Sequence, residues 1–375
     1  MSTHYFTIKP LDFHFFVGMD VDKKSISITV VTHNEEVLQR KLPYDAANLL
    51  NFIDKRFVDK RIVFAYEAGP TGYGLYDQIT KRGHDCLVVS AAATPKAASD
   101  RVKTNRIDSR KLAEALRAGQ LHGIHVPATP YRHLRYLVQL REVLLCQVVA
   151  YKNRIKGLLL MEGILFPSAT RSCQWPKRVL QELKRIQAPV AVKIKLDHLM
   201  SQLEFTKKQL AQVTKTIQEF CREDPELSPS IDLLMTLPGI AWIVAMHLLA
   251  RIGDWRLLQN SRQIAGLLGL IPTENSTGEV VNRGPITRLG DSTARNKLIE
   301  TAWTAVRHDV ELRKFFLRIC SRHPQHLAKR KAIVAVARKL TIRIFVVLKH
   351  RRAYLSQSEF LVLQGTTRRL AEHRN

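Results

Sequence analysis

Paired cysteines are missing from this 375-residue chain. Its five cysteines, at positions 86, 146, 173, 221 and 320, are scattered and never spaced as Cys-x-x-Cys. That pattern argues against a zinc site or a disulfide framework and fits a reducing cytosol. No apolar run reaches the roughly 18 residues that a membrane span needs. The segment from Met1 to Phe16 lacks the basic-then-apolar order of a secretory leader, so a cytoplasmic location is expected. Acidic charge is scarce: 33 Asp and Glu stand against 59 Lys and Arg, a formal net charge of +26. Such an excess draws in polyanions and speeds encounter with them, which favours nucleic acid as the partner. Hydrophobic residues, at 45%, are present in ordinary amount and can fill cores without metal or disulfides. At roughly 150 residues per domain, the length suggests two domains with a connector.

The N-terminal third reads as alternating strands and helices. Phe16 to Val21 is a short apolar run ending beside a carboxylate, and Ile26, Ile28 and Val30 alternate with Ser27 and Thr29 at the period of a half-buried strand. Val37 to Leu42 supplies a third strand and Ala46 to Phe57 a helix. Arg61 to Glu67, Gly72 to Arg82 and Cys86 to Ser90 then read as strand, helix and strand. Three strands followed by helix–strand–helix–strand predict a mixed sheet with packed helices, the order of the ribonuclease H-like fold. Beyond Pro95 strand signals nearly vanish. Ser109 to Ala118, Leu134 to Leu160 and Ala188 to Cys221 read as helices, the last with an apolar stripe through Leu196, Leu199, Leu203, Leu210 and Ile217. Such helices pair as coiled coils, within one chain or between two. The expected class is α/β plus α. It comprises a ribonuclease H-like mixed-sheet domain (14–125), a helical coiled-coil connector (126–228), a mainly helical C-terminal domain (229–350) and a tail (351–375).

Asp20 and Glu67 end strands expected to be neighbours. Asn105 and Asp108 are three apart at the start of a helix, so they share a face. Taken singly, these are ordinary polar ends of elements. Together, in that order, they are candidate ligands for Mg²⁺ or Mn²⁺, which favour oxygen donors and can stabilise both oxygens of a phosphoryl displacement. The small-residue run Ala68-Gly69-Pro70-Thr71-Gly72 lets backbone approach a ligand, and Lys103, Arg106, Arg110 and Lys111 give Asp108 a basic setting suited to phosphates.

Further on, Leu237-Pro238-Gly239-Ile240-Ala241 joins two apolar helical segments like a helix–hairpin–helix, whose backbone N–H groups bind DNA phosphate. A plain Pro-Gly turn reads the same. Gly269 to Gly290 is rich in Gly, Ser and Thr, with Arg283 and Arg288 interspersed, and leads into a helix from about Ser292. A hydroxyl there could attack a phosphodiester with arginine help, although most Ser-Thr-Gly triplets are turns.

These blocks together resemble the DEDD transposases of insertion-sequence family 110, which include the Piv/MooV-type DNA invertases. The resembling residues are Gly18-Met19-Asp20-Val21, Tyr66-Glu67-Ala68, Lys103 through Ala113, Leu237-Pro238-Gly239-Ile240, and Gly269 through Gly290, in the family's order and spacing. The resemblance implies a RuvC-like domain, a coiled-coil middle and a C-terminal serine that forms a covalent phosphoserine with DNA, assisted by an acidic tetrad and its Mg²⁺ or Mn²⁺. It also implies a structured guide RNA from the element's flank, and dimers pairing into tetramers. On that basis Asp20, Glu67, Asn105 and Asp108 are the expected metal ligands, and Ser276 is the expected nucleophile, with Thr277 in its place if the register is strict. Lys103, Arg106, Arg110, Gly239, Arg283 and Arg288 are the expected nucleic-acid contacts. One departure stands out: the family's third acidic position falls on Asn105, which offers a carbonyl oxygen without charge and so weakens metal affinity. The alternatives are a site-specific invertase, a RuvC-like nuclease using metal-bound water, and a degenerate nucleic-acid-binding relative.

Overall fold

The computed structural model describes residues 7–90, 105–167, 175–274 and 282–355. The chain divides into two compact units, Met1–Val126 and Pro127–Asn375.

In the first unit, β1 (Phe15–Val21), β2 (Ser25–Val31) and β3 (Glu36–Pro43) form an antiparallel meander. They are followed by α1 (Ala46–Arg56), β4 (Ile62–Glu67), α2 (Gly74–Lys81), β5 (Asp85–Val89) and α3 (Asn105–Arg117). The Asp45 carboxylate starts α1 by accepting the Ala47 and Asn48 N–H groups, a standard helix cap. The sheet order is β3-β2-β1-β4-β5, with β4 parallel to both β1 and β5. This is the mixed sheet expected of a ribonuclease H-like fold. Because successive strand side chains alternate between faces, the unit has two cores. Val17, Met19, Phe64 and Tyr66 pack with Leu49 and Ile53 of α1 and Leu75 and Ile79 of α2. Phe16, Val63 and Ala65 pack on the other face with Leu112, Ala113 and Leu116 of α3.

The second unit is almost wholly helical. It contains α4 (Thr129–Met161), α5 (Lys177–Arg185), α6 (Val190–Glu223), α7 (Leu227–Met235), α8 (Trp242–Ile252) and α9 (Ser261–Leu267). A two-stranded hairpin, β6 (Pro272–Glu274) with β7 (Arg283–Ile286), precedes α10 (Ser292–His308), α11 (Val310–Cys320) and α12 (Gln325–His350). The long helices pair within the chain. Near its start α4 gives Tyr131, Leu134 and Val138 to a large core that α6 enters with Ile217 and Cys221. Farther along, α4 gives Val148, Ile155 and Leu159 to a second core with Leu196, Met200 and Leu203 of α6. Two elements go beyond the sequence reading. Helix α5 closes the second core with Val179 and Leu183, and the β6–β7 pair lies in what reads as loop. Among the described residues, no helix is long and apolar enough to cross a membrane.

Candidate functional site

Pleating decides where the strand-end carboxylates sit. Phe16, Gly18 and Asp20 alternate with Val17, Met19 and Val21, so Asp20 falls on the face that α3 covers. The same parity puts Glu67 there after Val63 and Ala65. Met19 and Tyr66 are register partners in parallel strands, which makes Asp20 and Glu67 the next residues on neighbouring strands, about 4.8 Å apart in strand spacing. Glu67 itself pairs with Val89 of β5.

Helix α3 is drawn down on this pair by a missing side chain. A Cβ on Gly18 would lie 2.2 Å from the Ser109 carbonyl oxygen and 2.3 Å from the Ala113 nitrogen. Only glycine lets the helix backbone rest on β1, two residues before Asp20. A buried bond between the Thr29 and Ser109 hydroxyls (2.9 Å) fixes the helix over β2. Asp108 therefore rides on the first turn of α3, immediately before the residue in contact with Gly18.

Asn105 opens α3, and its amide nitrogen donates to the carboxylate of Asp22 in the β1–β2 turn. Sequence reasoning passed over Asp22, which sits in a charged turn without periodicity. The bond spends the amide's donor end on a carboxylate and supplies negative charge beside the position that lacks it. Among the described residues, no three His, Cys, Asp or Glu side chains gather closely enough to form a metal-holding group. What the fold brings together is the strand-end pair. Its all-oxygen chemistry fits a hard ion such as Mg²⁺, which commonly binds through one or two carboxylates and keeps several waters.

The segment after Glu67 is held from inside. The buried Tyr66 hydroxyl donates to the Gly72 carbonyl (3.0 Å), and the Ala68 N–H donates to Val89 (2.8 Å). Burial pushes the Tyr66 phenol well above its usual range, so it remains a protonated donor.

The cations of α3 are partly committed to structure. Arg110 makes a two-pronged pair with Glu36 of β3 (2.7 and 3.1 Å), and Arg106 bonds Gln39, whose amide in turn reaches Thr29 (3.1 Å) and the Arg106 carbonyl (2.9 Å). These contacts tie α3 across β2 and β3. Lys103 lies outside the described residues.

In the second unit the 236–241 turn joins α7 to α8 as the sequence suggests. Gly239 has φ +82°, and a Cβ there would come within 2.9 Å of the Thr301 carbonyl oxygen on α10. Packing against α10 therefore accounts for this glycine. Ser276 and Thr277 lie outside the described residues, between β6 and β7. What is described is the base of that hairpin. Gly269 (φ +63°) and Gly290 (φ +108°) let the entering and leaving chains cross, since a Cβ on either would meet backbone at 2.3 Å. Arg295 of α10, almost fully buried, donates to the Leu268 (3.0 Å) and Arg288 (3.2 Å) carbonyls and so ties both ends. Arg288 is an exposed non-glycine residue in the left-handed region at φ +55°, strain that persists only where surroundings enforce it. Arg283 lies in β7, and its side chain is outside the described residues.

Farther inside, Glu142 of α4 accepts from His247 of α8 (2.8 Å) and pairs with Lys297 of α10 (3.3 Å). The His247 bond, helped by Lys297 and opposed by burial, lowers the Glu142 carboxyl to about 2. Three helices are joined by one carboxylate.

Comparison with known proteins covers both units. Residues 17–162 match a transposase model of the DEDD type in the IS110 group, and residues 231–317 match the model described as the transposase IS116/IS110/IS902 family. A Sinorhizobium fredii protein, y4qE, whose name describes it as a transposase, is 34% identical over 294 residues, covering 77% of this chain and 71% of its own. The transposase for insertion sequence element IS1533 of Leptospira borgpetersenii is 26% identical over 253 residues, 66% of this chain and 72% of its own. The pilin gene-inverting protein of Moraxella bovis is 26% identical over 147 residues, 39% of this chain and 45% of its own.

Proposed function

The chain belongs to the IS116/IS110/IS902 family of transposases, and from that premise we propose that it exchanges DNA strands through a serine–phosphate intermediate supported by a carboxylate-bound Mg²⁺ or Mn²⁺. The observation that carries this reading is the placement of Asp20 and Glu67 on adjacent parallel strands, on the face that α3 covers with Asp108 on its first turn. Asp20 and Glu67 would hold the ion, and Asp108 and, more weakly, the Asn105 carbonyl would complete the set once ion and DNA are bound. The ion supplies charge stabilisation to the phosphoryl displacement.

Ser276 is the nucleophile, with Thr277 as its substitute. The hydroxyl loses its proton, its oxygen bonds phosphorus, and one DNA strand leaves with its oxygen protonated. Attack by a second DNA hydroxyl reverses these events and rejoins the strands. One phosphodiester replaces another, so no external energy source is needed. Arg283 and Arg288 contact DNA phosphates, as do Lys103, Arg106, Arg110 and the Gly239 turn. A structured RNA from the element's flank selects the sites, and dimers pair into tetramers. Site-specific inversion would use the same chemistry, and the similarity to the pilin gene-inverting protein favours it as the second reading.

The test is incubation with element-end DNA, flank-derived RNA and Mg²⁺, followed by a denaturing gel and peptide mapping. Wild-type protein should form a covalent adduct at Ser276 or Thr277. Asp20→Asn and Glu67→Gln should each slow its formation by roughly 10²–10³-fold. Cleavage without an adduct would replace this reading with a water-using nuclease. Binding without cleavage would replace it with a degenerate binder.

A further inference from the structure

The 40 residues from Arg313 to Arg352 contain 13 Lys and Arg and no Asp or Glu. They comprise most of α11 and all of α12, and the family match at 231–317 stops near their beginning. The charge is not an accident of a loose tail. Ala332, Ile333, Val336, Ala337, Leu340, Ile344 and Val347 bury one side of α12 in the large core, which leaves most of the cations to the outside. Of the 13, Arg343 alone has a carboxylate partner among the described residues, on Asp309 (2.7 Å) and Glu311 (3.2 Å).

Two features show cations gathered against local preference. Arg318 of α11 and Lys339 of α12 both lie over the Phe315 ring, 5.3 and 4.8 Å from its centroid, so like charges from two helices share one spot. Lys329, Arg330 and Lys331 crowd the second turn of α12, near the end where the helix dipole is already positive. Lys331 and the exposed Arg338 are seven residues apart on one face, about 10 Å along the helix. With 26 residues, α12 extends about 39 Å, more than one turn of a DNA duplex.

We infer that the outer face of the α11–α12 hairpin is a binding surface for the phosphate backbone of double-stranded DNA, independent of base sequence and separate from the strand-exchange residues. It rests on the reading of the chain as an enzyme that acts on DNA. Arg318, Lys331, Arg338 and Lys339 are its centre. Charge complementarity selects the partner, and the length of α12, along which the cations recur, favours the continuous backbone of a duplex over a single strand.

The experiment measures affinity against salt for a random 30-base-pair DNA duplex and for an RNA duplex of the same sequence. Full-length wild type is compared with the combined Arg318→Gln, Lys331→Gln, Arg338→Gln and Lys339→Gln variant. A control loses the same charge elsewhere through Lys177→Gln, Lys195→Gln, Lys208→Gln and Lys215→Gln. The hairpin variant should bind DNA at least roughly tenfold more weakly at physiological salt. Its slope of log affinity against log salt should fall by about 3 to 4, while the control changes by less than about 1. The Lys331→Gln, Arg338→Gln pair alters only exposed side chains and should lower the slope by about 2, which covers the case of a misfolded quadruple variant. Unchanged DNA binding, an equal loss in the control, or a loss confined to the RNA duplex would overturn the surface and leave the proposed function standing. Wild-type protein that binds no DNA would overturn both.

Discussion

Each unit has a glycine where backbone crosses backbone, but the two crossings are held differently. Gly18 lies in regular β1 and admits α3, whose other fastenings are hydroxyl bonds and partly exposed polar clamps at Arg106 and Arg110. Gly239 lies in a turn with positive φ and rests on α10, which is also anchored to α4 and α8 through the inward-facing Glu142. In the sheet unit, then, close packing carries the helix and the ion pairs trim it. In the helical unit, inward-facing ions share the task. The practical lesson is that steric changes should hurt the first most and charge changes the second.

The sharpest way to break the comparison is a methyl group on Gly18. Gly18→Ala drives a Cβ into helix backbone that cannot swing aside, and should cost about 3 kcal/mol or more. The Gly239→Ala variant meets a longer contact and should cost about 2 kcal/mol, mostly for positive φ. Thermal or urea unfolding would check both, and equal losses would erase the distinction.

Next in size is Glu142. Its carboxyl is lowered in the folded state to about 2, and its side chain is 21% exposed. With solvent screening allowed for, it therefore contributes on the order of 1–2 kcal/mol of stability above the unfolded-state value near 4.5, lost as pH falls towards 2. Glu142→Gln should be less stable than wild type at pH 7, and the gap should close between about pH 5 and 2. A gap that stays constant with pH would mean that packing, not charge, is what Glu142 provides.

The smallest effect belongs to Arg110, whose pair with Glu36 is 46% exposed on the arginine side. Arg110→Gln should leave the unfolding midpoint nearly unchanged, because an exposed ion pair contributes little to stability. Its DNA affinity, read at two salt concentrations, would show how far the side chain leaves Glu36 for phosphate.

The sheet was legible because β2 alternates polar and apolar residues while β1 and β4 are short apolar runs bounded by carboxylates. The positions of Asp20 and Glu67 at or beside the ends of β1 and β4 were legible from the same runs. Helix α3 begins at Asn105, four residues before the periodic stretch from Ser109, because its first turn is polar and held by Asp22 and Gln39 rather than by apolar burial. The β6–β7 pair escaped since Pro272, Gly284 and Pro285 write turn chemistry into strands of three and four residues. Glu142, His247 and Lys297 read singly as polar interruptions in apolar helices. Only the packing of α4, α8 and α10 makes them one group.

Helix α4 enters both cores of the second unit, Val138 in one and Val148 in the other. That makes its length a matter of rotation as much as reach. A single residue inserted between those positions would turn everything beyond it by about 100° and present solvent-facing side chains to one core. Seven inserted residues would return the stripe to within about 20°. The segment should therefore tolerate substitution far better than insertion, and any natural change in its length should come in steps of whole heptads matched in α6.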